Sequence, residues 1–357
     1  MHRVPEPAKP ESLRQWARSL RSFQFEVATR AAVAIALPLA VLVLTGQLDW
    51  AAYAAFGGMT ALFGRNEPYR VRLRTVTVAG TLMLAIITFG LVLALVDAPL
   101  IVLAAGLVVV IVAGILVAST AGLFPATPIF FVFGFAVVAQ LPTPGEEFWS
   151  RLLVAVASAA FAWLLTMSGW LLRRVAGRHE PDLFKNLFRG TLVRPGAISD
   201  RQVWTSIAQN VVGALAAGSL ALAAGIGHPY WAVVSVVAVL PPPGAKHSVS
   251  RAFHRMIGTT LGVGLTAFVL LPGPPVAVLI LVIALGQFGA EILIGRHYGA
   301  ALLFVTPLAL GVVHLTSPVP VPALLVDRVL ETILGSVVAL GIVLLVRARA
   351  QPKTKHW

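Results

Sequence analysis

Residues 231–262 read WAVVSVVAVLPPPGAKHSVSRAFHRMIGTTLG, and residues 50–81 read WAAYAAFGGMTALFGRNEPYRVRLRTVTVAGT. Trp50, Arg70 and Arg74 recur as Trp231, Arg251 and Arg255, each 181 residues further on. In both stretches a tryptophan opens a short apolar segment, a basic cluster follows, and a long apolar run begins. The pattern is that of a duplicated membrane module.

Composition sets the solvent. With 58% hydrophobic residues, 11% charged ones and a mean hydropathy of +0.88, the 357-residue chain has more apolar surface than one water-soluble core hides. Apolar runs fall at 27–48, 50–64, 75–96, 99–119, 124–141, 150–172, 205–227, 230–242, 256–272, 276–294, 299–315 and 329–346. None shows the alternation of an outer-membrane barrel strand, and backbone in lipid must otherwise be helical. The expected fold is an all-α integral membrane protein with about twelve transmembrane helices in two parallel six-helix repeats.

The net charge of +13 is spread over the short segments between runs, so it reads as topology rather than as a nucleic-acid surface. If the N-terminus is cytoplasmic, 25 of the 27 Lys and Arg residues face inward and only Arg151 and Arg328 lie outside, with Asp49, Asp97, Glu146, Glu147 and Asp327. Both termini are then cytoplasmic. The polar first 26 residues and the long run after them suit a retained first span, not a cleaved signal. The Ala- and Val-rich, Arg-over-Lys composition suggests a bacterial chain in the cell membrane.

The organisation expected is a cytoplasmic N-terminal segment (1–26), a first membrane repeat (27–172), a basic linker (173–204), a second membrane repeat (205–346) and a cytoplasmic tail (347–357). A short interfacial helix is expected near 181–189. Six being even, the repeats enter the membrane in the same sense, related by an axis along its normal. Thr127-Pro128 in the fifth run matches Thr306-Pro307 in the eleventh, and Arg151 matches Arg328.

The second and eighth runs are shorter than the roughly 20 residues a bilayer core asks of a helix. Gly57-Gly58 interrupts the first, and Pro241-Pro242-Pro243-Gly244 closes the second. Such paired, broken segments are tolerable where they line a protein-enclosed cavity, and they point to a transport site. On the following helix Arg251, Arg255, Gly258 and Gly262 fall on one face, a basic entrance leading into a small-residue seam. Arg70, Arg74, Thr77 and Thr81 are expected to trace the same face in the first half.

The stretch Arg255-Met256-Ile257-Gly258-Thr259-Thr260-Leu261-Gly262, preceded by Trp231 and Pro241-Pro242, resembles the fusaric-acid-resistance (FUSC) family of the aromatic acid exporter superfamily. Asp327-Arg328-Val329-Leu330-Glu331-Thr332-Ile333-Leu334-Gly335 is similar to that family's closing helix. The likeness is good over the second half and loose over the first, where Thr77 follows Arg74 in place of the family's Gly-Thr. It implies a minimal, membrane-only form that exports small aromatic or other weak organic acids, driven by the proton gradient.

Candidate residues follow. Arg74 and Arg255 would collect the anion, with Trp50, Trp231, Gly258 and Thr259 along its path. Glu331, three residues after Arg328, suits either a proton carrier or a structural ion pair; its first-half counterpart is Val154. Glu291 with Arg296 and His297 forms a second cluster without a counterpart, and His254 is a candidate proton shuttle by residue type. The chain has no Cys, no His-Glu-x-x-His and no phosphate-binding Gly-rich loop, so neither an enzyme, a cofactor nor a metal is expected. The expected partners are a small organic anion, protons and membrane lipids, with a homo-oligomer or accessory subunit left open. A passive anion channel and a non-transporting scaffold are the competing classes.

Overall fold

The computed structural model describes residues 24–65, 67–176, 193–245, 249–316 and 319–350. The interfacial helix expected near 181–189 lies outside them, as do the tail and most of the N-terminal segment. Within the described residues the chain is helical and has no strands. The α-helices are α1 (Gln24–Leu44), α2 (Ala51–Gly58), α3 (Tyr69–Leu95), α4 (Leu100–Ala121), α5 (Ile129–Val138), α6 (Phe148–Ala176), α7 (Arg201–Ala223), α8 (Tyr230–Val239), α9 (Val249–Leu270), α10 (Val276–Leu293), α11 (Tyr298–Thr316) and α12 (Val321–Ala350).

Nine of these are long and apolar enough to cross a membrane. Their outer faces carry large apolar side chains: Leu44 is 87% exposed, Phe268 82% and Ile101 76%. Such a surface belongs in hydrocarbon, not water. The other three helices, α2, α5 and α8, have 8, 10 and 10 residues. At 1.5 Å per residue they reach about 12–15 Å, half a bilayer core. Every residue of α2 and of α8 is buried. A helix apolar all round is stable when protein surrounds it, and these two lie inside the bundle.

The same helix pairs pack in each half. In the first, α2 lies on α1 and α6, α3 on α5 and α6, and α4 on α5; in the second, α8 lies on α7 and α12, α9 on α11 and α12, and α10 on α11. The halves meet reciprocally, α1 against α10 and α4 against α7, with α2 beside α11 and α5 beside α8. Glycine brings these helices close. A Cβ at Gly57 would strike the Ala155 carbonyl of α6, and one at Gly335 of α12 would strike the Ala232 carbonyl of α8. Gly57-Gly58 thus closes α2 against its neighbours; the chain continues as a 3-10 turn over Met59–Leu62.

The register of α3 and α9 differs from the sequence expectation. Buried on α3 are Arg72, Thr75, Val76, Ala79, Gly80 and Met83. On α9 they are Arg255, Gly258, Thr259, Gly262, Val263 and Thr266. These rows coincide at an offset of 183 residues, because Arg255 stands 24 residues after Trp231 whereas Arg72 stands 22 after Trp50. Two residues turn a helix by about 200°, so Arg70, Arg74, Thr77 and Thr81 fall on the exposed face of α3. Arg72, not Arg74, matches Arg255. The Thr-Pro pairs also diverge: α5 starts after Pro128, whereas α11 runs through Pro307.

Candidate functional site

A cavity of about 190 Å³ lies between the halves, walled by α2 and α5 on one side and by α8 to α12 on the other. Its lining is mostly apolar. Phe56 of α2 packs edge-on to Phe133 of α5 at 5.0 Å between ring centroids, and Phe133 meets Trp231 of α8 at 4.9 Å. One run of aromatic rings thus joins the halves across the centre.

Three arginines enter this apolar wall. Arg328, 1% exposed, places its guanidinium carbon 3.7 Å from the Trp231 ring centroid. A desolvated cation over an indole gains about 2 kcal/mol, a fraction of the cost of burying the charge. Nε and Nη1 of Arg328 have no hydrogen-bond partner in the protein, nor has Nε1 of Trp231. Arg255, 2% exposed, donates from Nη2 to Ser235 Oγ at 3.4 Å, and its Nε is unpartnered. Arg251 lies 4.1 Å from the Tyr298 ring centroid and donates from Nε to the Ala238 carbonyl at 2.7 Å. The wall therefore offers several N–H donors and a positive potential beside aromatic rings.

The matching arginine of the first half is differently employed. Arg151 of α6 pairs with Glu147 at 2.8 Å and donates to the Tyr53 hydroxyl, the Pro142 carbonyl and the Thr143 hydroxyl. Trp50 donates from Nε1 to the same Glu147 at 3.1 Å. Trp50 thus belongs to a structural network at the bundle end, away from the cavity wall.

At the opposite end, where Arg65 follows α2, the halves are joined by charge. Arg65 stands 3.4 Å from Glu291 of α10. Gln287, one turn earlier and also on the cavity wall, donates to Glu291 at 3.5 Å. Glu291 is thus buried and paired between halves, while Arg296 and His297, expected in a cluster with it, are exposed in the turn after α10.

The structure brings Arg255, Arg328, Trp231 and Glu291 together around the cavity. Gly258 and Thr259 lie buried on α9, where Gly258 abuts the Gly299 backbone of α11. Glu331 is fully buried one turn beyond Arg328, and neither of its oxygens has a hydrogen-bond partner. Arg74 is exposed on α3, and His254 is exposed on α9 beside Gly299. Sequence reasoning missed Ser235, Arg65 and the pair of His228 with Asp327, whose Nδ1 and Oδ2 stand 2.8 Å apart. The sole polar residue in the apolar run 230–240 was a usable signal for Ser235; the others face partners about a hundred residues or more away.

Residues 215–342 match the family described as Fusaric acid resistance protein-like, which bears out the likeness read from the second half. An uncharacterized protein of Synechocystis sp. is 30% identical over 135 residues, 37% of this chain. The match spans 17% of that protein's length. No solved structure matches the chain. The family match and the helices able to cross a membrane agree with a multi-pass membrane transporter.

Proposed function

We propose that the chain carries small aromatic or other weak organic acids, as anions, out of a bacterial cell through the cavity between its halves, in exchange for protons. The observation that carries the reading is the set of unpartnered N–H groups of Arg255, Arg328 and Trp231 on a wall otherwise made of aromatic and aliphatic side chains. A carboxylate satisfies such donors, and an aromatic body suits Phe56 and Phe133. The description of the matched family, resistance to an organic acid, points the same way.

In this reading all twelve helices cross the inner membrane, with both termini inside, and the reciprocal packing of the halves is that of two parallel repeats. The short α2 and α8 cross within the bundle, completed by their 3-10 and extended flanks. Movement of one half against the other alternates access, and Arg65 with Glu291 closes the cytoplasmic end. Arg255 and Arg328 hold the anion, and Glu331 couples protons.

The test is retention of labelled aromatic acids by cells carrying wild type, Arg255→Ala or Glu331→Gln, with and without an uncoupler. Wild type should lower retention, and each variant or the uncoupler should restore it. Equal retention in all conditions across a broad panel of acids excludes export and leaves a scaffold. Lowered retention that ignores the uncoupler indicates a passive channel.

A further inference from the structure

Glu331 lies behind the cavity wall, fully buried, with both oxygens unpartnered. Four residues earlier on α12 stands Asp327, an interval that sets the two carboxylates on one helix face about one turn apart. Asp327 is at the bundle end that holds Trp50, its side chain 18% exposed, and it meets His228 Nδ1 at 2.8 Å. His228 is 14% exposed and leads into α8, whose Trp231 carries Arg328. A partly exposed dyad and a buried carboxylate therefore form one line from the bundle end to the residue beside Arg328.

Other charged and titratable groups face this line. On α12 Arg328 acts on Glu331, from α8 Tyr230 does so, and from α9 Arg255 acts on Arg328. The first half offers no such line. At the offset that matches Arg151 with Arg328, Ser150 and Val154 stand for Asp327 and Glu331, and Gln47 precedes Trp50 where His228 precedes Trp231. Of two equivalent places in the bundle, one is a finished hydrogen-bond network and the other is a row of ionisable groups ending in an unpartnered acid.

We propose that His228 and Asp327 are the proton entry of this protein, taking a proton from the water at the Trp50 end and delivering it to the Glu331 carboxylate. The assignment rests on the transporter reading and adds the route by which the proton arrives. The proton leaves water for the His228–Asp327 pair and passes from Asp327 to a Glu331 oxygen; the dyad is then reloaded from water. The charge on Glu331 sets the countercharge available to Arg328, which ties the proton to the anion site.

The experiment is a pH-jump infrared measurement on the full-length protein in lipid nanodiscs. It follows the protonated-carboxyl band that Glu331→Gln abolishes. After a drop in pH the band should rise in wild type, and should rise about tenfold or more slowly in Asp327→Asn and in His228→Gln. Asp327→Glu should restore the rate. The amide band reports folding in each variant, and the two single variants serve as independent probes should one fail to fold. A wild-type rate in both folded variants, or no titrating band assigned to Glu331, overturns the proposal. Because no substrate is added, this outcome is separate from that of the retention test: transport can fail while proton entry stands, and the reverse.

Discussion

The guanidinium of Arg328 rests 3.7 Å from the centre of the Trp231 ring, while two of its nitrogens and the indole N–H face no protein acceptor. The indole supplies a surface for the cation and a donor of its own. Trp231→Phe keeps the surface and removes the donor, so affinity for a carboxylate ligand should fall about tenfold, as expected for a hydrogen bond to a charged group. Trp231→Ala should cost more. Equilibrium binding of labelled acid to purified protein decides this; wild-type affinity in Trp231→Phe contradicts the assignment.

Arg151 and Arg328 should respond oppositely to the same change. Arg151→Met breaks a partly exposed ion pair, which itself contributes little, and leaves the Tyr53 hydroxyl and the Pro142 carbonyl short of a donor, which should destabilise the protein by about 1–2 kcal/mol. Arg328→Met removes a buried charge with few partners, so stability should hold or rise, while anion binding is lost. Thermal unfolding of both variants in the same detergent gives the comparison.

Arg74 and Arg255 are separated by burial. Arg74→Ala should leave transport within about twofold of wild type, because an exposed side chain removed from a helix surface changes little. Arg255→Ala should lower it about tenfold or more, the scale of one lost charge-assisted bond. Initial rates in the same membranes check both.

Gly258 abuts the Gly299 backbone, and Gly335 the Ala232 carbonyl. Gly258→Ala or Gly335→Ala should force helices apart at a cost of about 1–3 kcal/mol. Gly264, with open space at its Cβ position, should tolerate the same change.

With no cysteine in the chain, single cysteines report topology directly. Twelve crossings predict that position 46 is labelled from outside and position 65 from inside, with 225 and 244 alternating likewise. Labelling of 46 and 65 from the same side would mean that α2 enters and returns.

The helical class was legible because long apolar runs have few other fates. The likeness of packing in the two halves was legible because Trp50 and Trp231 head short apolar segments, α2 and α8, each held between two long helices of its half. The register of α3 was not. Polarity did not separate its faces, since Arg70, Arg74, Thr77 and Thr81 lie outside and Arg72 and Thr75 inside, and the match of Arg74 with Arg255 pointed to the wrong one. The 181-residue match of arginines hid the 183-residue match of the buried rows. Glu331 was readable as a costly charge within an apolar run, and Arg255 and Arg328 as charges at the edge of one. Their relation to Ser235 and to the His228–Asp327 pair depends on how α8 lies between α9 and α12, which no local pattern encodes.

The most direct measurement is counterflow in proteoliposomes. Liposomes containing the protein and loaded with an unlabelled aromatic acid should take up the labelled acid from outside; those with Arg255→Ala or Arg328→Met should not. Uptake no faster than in protein-free liposomes, or as fast in both variants as in wild type, would contradict transport through this cavity.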